Sequence, residues 1–372
     1  MPNLFPYKKL DAPKLLGIPW NISQVNAPSF WSKTKGAGTI IAIVDTGLDV
    51  SHPEFSGRLI GGWNFNGGRY DDLKDSDGHG THVAGIASGA TCGVAPGARI
   101  MPLKVFGGPI DTGEAIKEAF RYIYKWNAEH SESERVVAVN CSFGSGAYDI
   151  EQAWLIRRLV STGVTVCVAA GNQGDGKPDT EEVFMFPGYI WECLTTGALN
   201  QDGQPAGYSS SYDGIDIAAP GTQIYSAWPG GGYKLLSGTS MATPHITGAM
   251  ALICAAWRQK KGEWPTEEQA VDTLLKHIRK VDADHRFVGN GVLDLTWDDN
   301  AWHAEEIVLT LNSNVIFVDG EERAVEQAPV AMVGSNRSVI PVHGVFQPFG
   351  ISVEWVEKAK QVVLRRGVSN GY

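Results

Sequence analysis

Four short runs of this chain are apolar at nearly every position: TIIAIVDTG (39–47), RIMPLKVFG (99–107), VVAVNCSFG (136–144) and VTVCVAAGN (164–172). A strand with one wet face alternates apolar and polar residues, so runs without that alternation predict strands covered on both faces. Two stretches with apolar residues at helical spacing, 113–130 and 150–163, lie between the last three of these runs. Strand and helix in alternation predict an α/β fold, a three-layer doubly wound parallel sheet with right-handed crossovers. In such sheets ligands bind beyond the carboxyl ends of the strands. Asp45, Ser142 and Asn172 stand at or next to such ends.

Composition narrows the class. With 372 residues the chain has room for about two domains and a large core. Its 31 Lys and Arg against 41 Asp and Glu give a formal charge of −10, which argues against a nucleic-acid partner held by phosphate contacts. Cys92, Cys141, Cys167, Cys193 and Cys254 form an odd set without CxxC spacing, and two of them lie inside apolar runs. They read as reduced thiols packed as small hydrophobes, which points to the cytoplasm. The start, MPNLFPYKKLDAPKLLGIPW, lacks the apolar centre of a signal peptide, and no later stretch has the length of a membrane span. Neither secretion nor membrane binding is expected.

The run DSDGHGTHVAGI (75–86) sets His79 and His82 three residues apart, one helical turn if the run is helical. Two imidazoles so placed could share a metal, could be a catalytic base and a bystander, or could be ordinary core histidines. The zinc signature places a Glu after the first His, whereas Gly80 and Thr81 fill this gap, and no acidic or Cys cluster adjoins. In LLSGTSMATPHITGAMALICAAW (235–257), Ser240 opens a long helical pattern among small neighbours. Such a position suits a nucleophile, because helix N-terminal N–H groups favour developing negative charge, although a Ser there is also a common N-cap.

Read together, IAIVDTGLDVSHPEF (41–55), DGHGTHVAG (77–85), VAAGNQGDG (168–176) and SGTSMATPHITGA (237–249) resemble, in order and spacing, the Asp, His, oxyanion and Ser blocks of the subtilisin-like serine proteases. The resemblance spans roughly residues 20–297. It implies an endopeptidase acting on protein or peptide substrates, with Ser240 as nucleophile, His79 as general base, Asp45 orienting the imidazole and Asn172 donating to the oxyanion. His82 matches a second histidine that packs in the helix without chemistry. The edges at Gly107 to Gly113 and at Ser142, Phe143 and Gly144 resemble the two segments that pair with an extended substrate. Phe143 replaces the family's common Leu, which leaves the preferred side chain open beyond large apolar types. The rival readings are a catalytically silent binding protein of this fold and a metallohydrolase using His79 and His82.

Within the family, residues 24–47, 174–190 and 289–295 are similar to the intracellular branch. That likeness extends to the start, where Leu4, Phe5, Pro6 and Tyr7 match a segment that lies back across the active site. Pro6 gives a physical reason for such a segment to resist cleavage, since it lacks an N–H for strand pairing and its fixed φ bends the chain. A tail simply docked on the core by its apolar side chains is the plainer alternative. Residues 1–20 are therefore read as an inhibitory extension and 21–300 as the protease domain, with release by processing between Tyr7 and Trp20. A homodimer is left open. No cofactor is implied for the chemistry, and no metal ligand is assigned. A structural calcium stays open, but no strong site is expected at 87–98, which is short where many relatives insert an Asn-containing loop that, with an acid matched by Glu54, holds calcium. Glu54 is expected to be a solvated loop acid. Residues 305–366 read as a small β-rich domain with a turn at Asp319-Gly320. Val318-Asp319-Gly320, Ala328-Pro329, Ile340-Pro341-Val342, Phe349-Gly350 and Trp355 resemble the copper amine oxidase N-terminal-like module. His343 is the only histidine in 306–366, so copper is not inferred.

Overall fold

A computed structural model describes residues 2–12, 17–178 and 185–298, and the backbone of the strands at 306–310, 315–318, 321–324, 351–356 and 361–366. The chain divides into two compact units, Met1–Trp297 and Asp298–Tyr372.

All four apolar runs form strands, at Ile40–Asp45, Arg99–Lys104, Val136–Cys141 and Thr165–Ala169, and they are buried almost throughout. They belong to a nine-stranded sheet ordered Ile278–Arg279, Val292–Leu293, Ile217–Pro220, Cys193–Leu199, Thr165–Ala169, Val136–Cys141, Ile40–Asp45, Arg99–Lys104, Trp63–Asn64. Every pairing is parallel except the first. From Ile40–Asp45 the chain winds to Arg99–Lys104 on one side, then recrosses to Val136–Cys141 on the other. The winding therefore reverses at Ile40–Asp45, and a crevice opens beyond the carboxyl ends there.

Two layers of helix cover the sheet. The helices Thr112–Glu129 and Ile150–Val160 begin on Asp111 and Asp149, whose side chains accept from the free N–H groups of the first turn. They bury Ile116, Phe120, Ile123, Leu155, Ile156 and Leu159 against one face, with alternate strand residues such as Ala42, Val44, Val166 and Val168. The residues between point the other way: Asn140 accepts from the Thr247 hydroxyl at 3.0 Å, in the helix Thr239–Lys261. This helix is buried on all sides from Thr239 to Trp257 because the helix His79–Ser88 packs against it. All five cysteines are buried and unpaired.

In the second unit, five antiparallel strands pair in the order Glu321–Ala324, Val315–Val318, Glu306–Thr310, Gln361–Arg366, Ile351–Val356. Val318 pairs with Glu321. The Asp319-Gly320 turn between them lies outside the described residues, as do Ala328-Pro329, Ile340-Pro341-Val342, His343 and Phe349-Gly350.

Candidate active site

Asp45 ends its strand at the reversal point, and the chain turns away through Thr46 and Gly47. The helix carrying His79 must approach this turn closely. Gly80 permits it, because a Cβ there would lie 2.3 Å from the Gly47 carbonyl oxygen and 3.1 Å from Asp45 Cβ. His79 Nδ1 then meets Asp45 Oδ1 at 2.8 Å and Oδ2 at 3.0 Å, and Oδ1 also accepts from the Thr46 N–H at 2.7 Å. Both side chains are wholly buried. Burial disfavours a charged imidazole, but the Asp45 charge and hydrogen bond, aided by Asp77 and Asp75, outweigh it and raise the His79 pKa. His79 Nε2 is buried without a hydrogen-bond partner.

Asp75 fastens the two elements together. Its Oδ1 accepts from the Thr46 hydroxyl at 2.8 Å and the Gly78 N–H at 2.8 Å, and its Oδ2 from the Thr81 N–H at 2.9 Å and hydroxyl at 2.7 Å. Asp75 merely opens the run 75–86 in the sequence, and these partners emerge only in the fold. The two histidines have different partners. His82 lies on the buried side of the helix with Nε2 on the carbonyls of Ile224 (3.0 Å) and Lys234 (3.2 Å), and burial lowers its pKa to about 3. It is held neutral. Among the described residues no group of three or more His, Cys, Asp or Glu could hold a metal ion.

Ser240 is the second residue of its helix. Pro244, four residues on, has no N–H to give the Ser240 carbonyl, and Ser142 Oγ donates to that carbonyl instead, at 2.9 Å. Asn140 Nδ2 donates in turn to Ser142 Oγ at 2.9 Å, so a buried relay ties the turn bearing Ser240 to the end of strand Val136–Cys141. The Ser240 hydroxyl donates to the Ser142 carbonyl at 3.2 Å. Asn172 is fixed by its Oδ1, which accepts from the Thr239 N–H (2.8 Å) and hydroxyl (2.9 Å), leaving Nδ2 aimed into the crevice.

That amide meets the chain's own start. Asn172 Nδ2 donates to the Pro6 carbonyl at 2.8 Å. Upstream, Asn3 and Leu4 pair antiparallel with Gly144 and Phe143, and Pro2 reaches toward Gly113. Gly113 itself lies in the first turn of helix Thr112–Glu129, and Gly107 in a left-handed turn with φ +88°. Among the described residues neither pairs with the segment as a strand. Phe5 is 1% exposed and its ring rests on Gly144, where a Cβ would come within 2.5 Å of it. Tyr7 lays its ring 5.2 Å from the His79 ring and donates its hydroxyl to Asp77 Oδ1 at 2.6 Å. Burial, then that hydrogen bond, push the phenol pKa up. Beyond it Lys8–Asp11 pairs with the strand Gly232–Ser237, and Lys9 Nζ sits 4.8 Å over the Trp228 ring.

Residues 36–291 match the Subtilase family. The chain belongs to the subtilase family. Residues 301–364 of this subtilase match the copper amine oxidase N-terminal domain. It is similar to the major intracellular serine protease of Bacillus subtilis, 34% identical over 294 residues, covering 76% of this chain and 89% of that one. It is likewise 34% identical over 307 residues to the intracellular serine protease of Paenibacillus polymyxa, covering 79% and 90%. Subtilisin E of Bacillus subtilis is 34% identical over 266 residues, covering 69% of this chain and 65% of its own. Serine protease activity follows from membership, and no cofactor is needed for the chemistry.

One expectation is corrected. Glu54 is 2% exposed, not solvated: its Oε2 accepts from the Thr91 N–H at 2.7 Å and its Oε1 from the Thr91 hydroxyl and, at 2.9 Å, from the Tyr233 hydroxyl. A carboxylate ringed by N–H and O–H donors does not fit calcium, which takes oxygen ligands by their lone pairs. The sequence could not show this, because Thr91 and Tyr233 lie far from Glu54 along the chain.

Proposed function

We propose that this subtilase cleaves protein substrates with Ser240, His79, Asp45 and Asn172, and that its residues 4–7 hold it inactive until they are removed. Ser240 Oγ attacks the scissile carbonyl while His79 Nε2 takes its proton. Asp45 keeps the other imidazole proton on Nδ1 and steadies the imidazolium that forms. The oxyanion develops at Asn172 Nδ2, a donor already fixed by Thr239, so little reorganisation accompanies its formation. His79 then protonates the leaving amine, and water releases the acyl group along the reverse course. Substrate adds as a strand along Ser142, Phe143 and Gly144, with its other side toward Gly107 to Gly113, and the cleft recognises mostly main chain.

The observation that carries the inhibited reading is the hydrogen bond from Asn172 to Pro6. The side chain buried against Gly144 belongs to Phe5, yet the carbonyl on the Asn172 amide belongs to the next residue. A cleavable substrate must place pocket side chain and attacked carbonyl on one residue, so the segment sits out of register with the chemistry. The Ser240 hydroxyl bonded to Ser142 and the Tyr7 ring over His79 fit the same resting state. Names of the relatives support a cytoplasmic setting. The test is a shortened chain beginning at Trp20: Ser240→Ala and His79→Ala should each abolish peptide hydrolysis, and the double variant should lose no more than either alone, because nucleophile and base act as a unit. Hydrolysis that survives Ser240→Ala would overturn the assignment.

A further inference from the structure

Three segments meet near Glu54: the turn at 53–58, the end of helix His79–Ser88 and the loop 89–98. The Arg58 guanidinium sits at their junction. It donates to the carbonyls of Glu54, Ser88 and Ala98, the last at 3.0 Å, and to Ser88 Oγ at 2.6 Å. Carbonyls from separate segments converging on one positive group is what a bound calcium imposes on its ligands, and here a side chain supplies the charge. Burial lowers the Arg58 pKa, and the nearby Glu54 carboxylate opposes that change. The loop closes tightly against this centre. Ala90 N–H donates to the Glu54 carbonyl at 3.2 Å, and a Cβ on Gly89 would lie 2.9 Å from Glu54 Oε2.

These contacts already engage the oxygens a divalent ion would need and set a cation against the Glu54 charge. Glu54 Oε2 accepts from the Thr91 N–H and Oε1 from the Thr91 and Tyr233 hydroxyls, and the carbonyls of Glu54, Ser88 and Ala98 face N–H groups of the Arg58 guanidinium. We infer that Arg58 is the resident cation of this corner and stands in place of a structural calcium, so that the 89–98 loop is held without the metal. The inference is independent of the catalytic assignments.

Hydrogen exchange of residues 89–98 tests it, in the full-length Ser240→Ala chain so that self-digestion does not intrude. Exchange there should change by less than about twofold between millimolar calcium chloride and a chelator, whereas calcium binding at any other corner would protect other residues. A larger calcium-dependent slowing within 89–98 overturns the inference. Arg58→Met should accelerate exchange of the loop more than about tenfold, and calcium should not restore it. Acceleration below that, or rescue by calcium, also overturns it. Should Arg58→Met not fold, Arg58→Lys carries the same comparison, since it keeps the charge but loses the planar fork that reaches three carbonyls at once.

Discussion

On the proposed self-inhibition, replacing Phe5 by alanine in the full-length chain should raise its rate of hydrolysis. The Phe5 ring is 1% exposed in a pocket floored by Gly144, and fully burying such a ring stabilises by about 1.5–3 kcal/mol. The segment is tethered and faces the cleft at an effective concentration of about millimolar, so closure is an intramolecular equilibrium that this loss weakens directly. At about 1.4 kcal/mol per factor of ten, the open fraction should rise roughly ten- to a hundredfold. The assay is hydrolysis of a short chromogenic peptide by protein shown by mass spectrometry to be uncut. A rate within about threefold of the unsubstituted chain, while the chain beginning at Trp20 is at least about a hundred times faster, would show that Phe5 is not what holds the segment in place. Gly144→Ala tests the pocket from its other wall. The added Cβ would strike the Phe5 ring, so the uncut chain should open while the shortened chain loses turnover of substrates with large apolar side chains.

Three further outcomes follow from the same geometry. The His79 pKa is raised chiefly by Asp45 against the opposing effect of burial, so activity of the shortened chain should fall as pH drops through a value above the ordinary 6.5. Asp45→Asn should move that limb lower and cost about 10⁴ in kcat, read from a pH–rate profile; an unmoved limb would reject the pairing. His82→Ala removes a buried ring bonded to two carbonyls and should cost about 2–4 kcal/mol in urea unfolding, with kcat of the folded enzyme within about threefold, whereas lost activity at unchanged stability would return His82 to the chemistry. A chain ending at Trp297 keeps the whole first compact unit and should hydrolyse short peptides within about tenfold of the full-length rate, so a larger loss would give the module at 305–366 a part in catalysis.

How much of this was legible in the sequence depended on the range of the interaction. Strands such as Ile40–Asp45 announce themselves through unbroken apolar runs, because burial on both faces leaves no polar alternation, and their ends mark the crevice. Asp45, His79, Asn172 and Ser240 stand in dense local motifs of small residues, of which Gly80 permits a close approach to Asp45 and Gly47. What stayed hidden rests on partners distant in the chain. Nothing near Glu54 forecast donors from Thr91 and Tyr233, and nothing near Lys8–Asp11 forecast a strand partner at Gly232–Ser237. Pro244 stands four residues after Ser240 in the sequence, but its consequence, a Ser240 carbonyl handed to Ser142, needed the fold.

On the proposed reading Ser240 is an activated nucleophile screened by residues 4–7. Covalent labelling by a fluorophosphonate, with the modified residue located by peptide mass spectrometry, tests both halves at once. The shortened chain should label rapidly and at Ser240 alone, the uncut chain at least about tenfold more slowly, and His79→Ala not at all on the same timescale. Label on another residue, or equal labelling of cut and uncut chains at Ser240, would contradict the account.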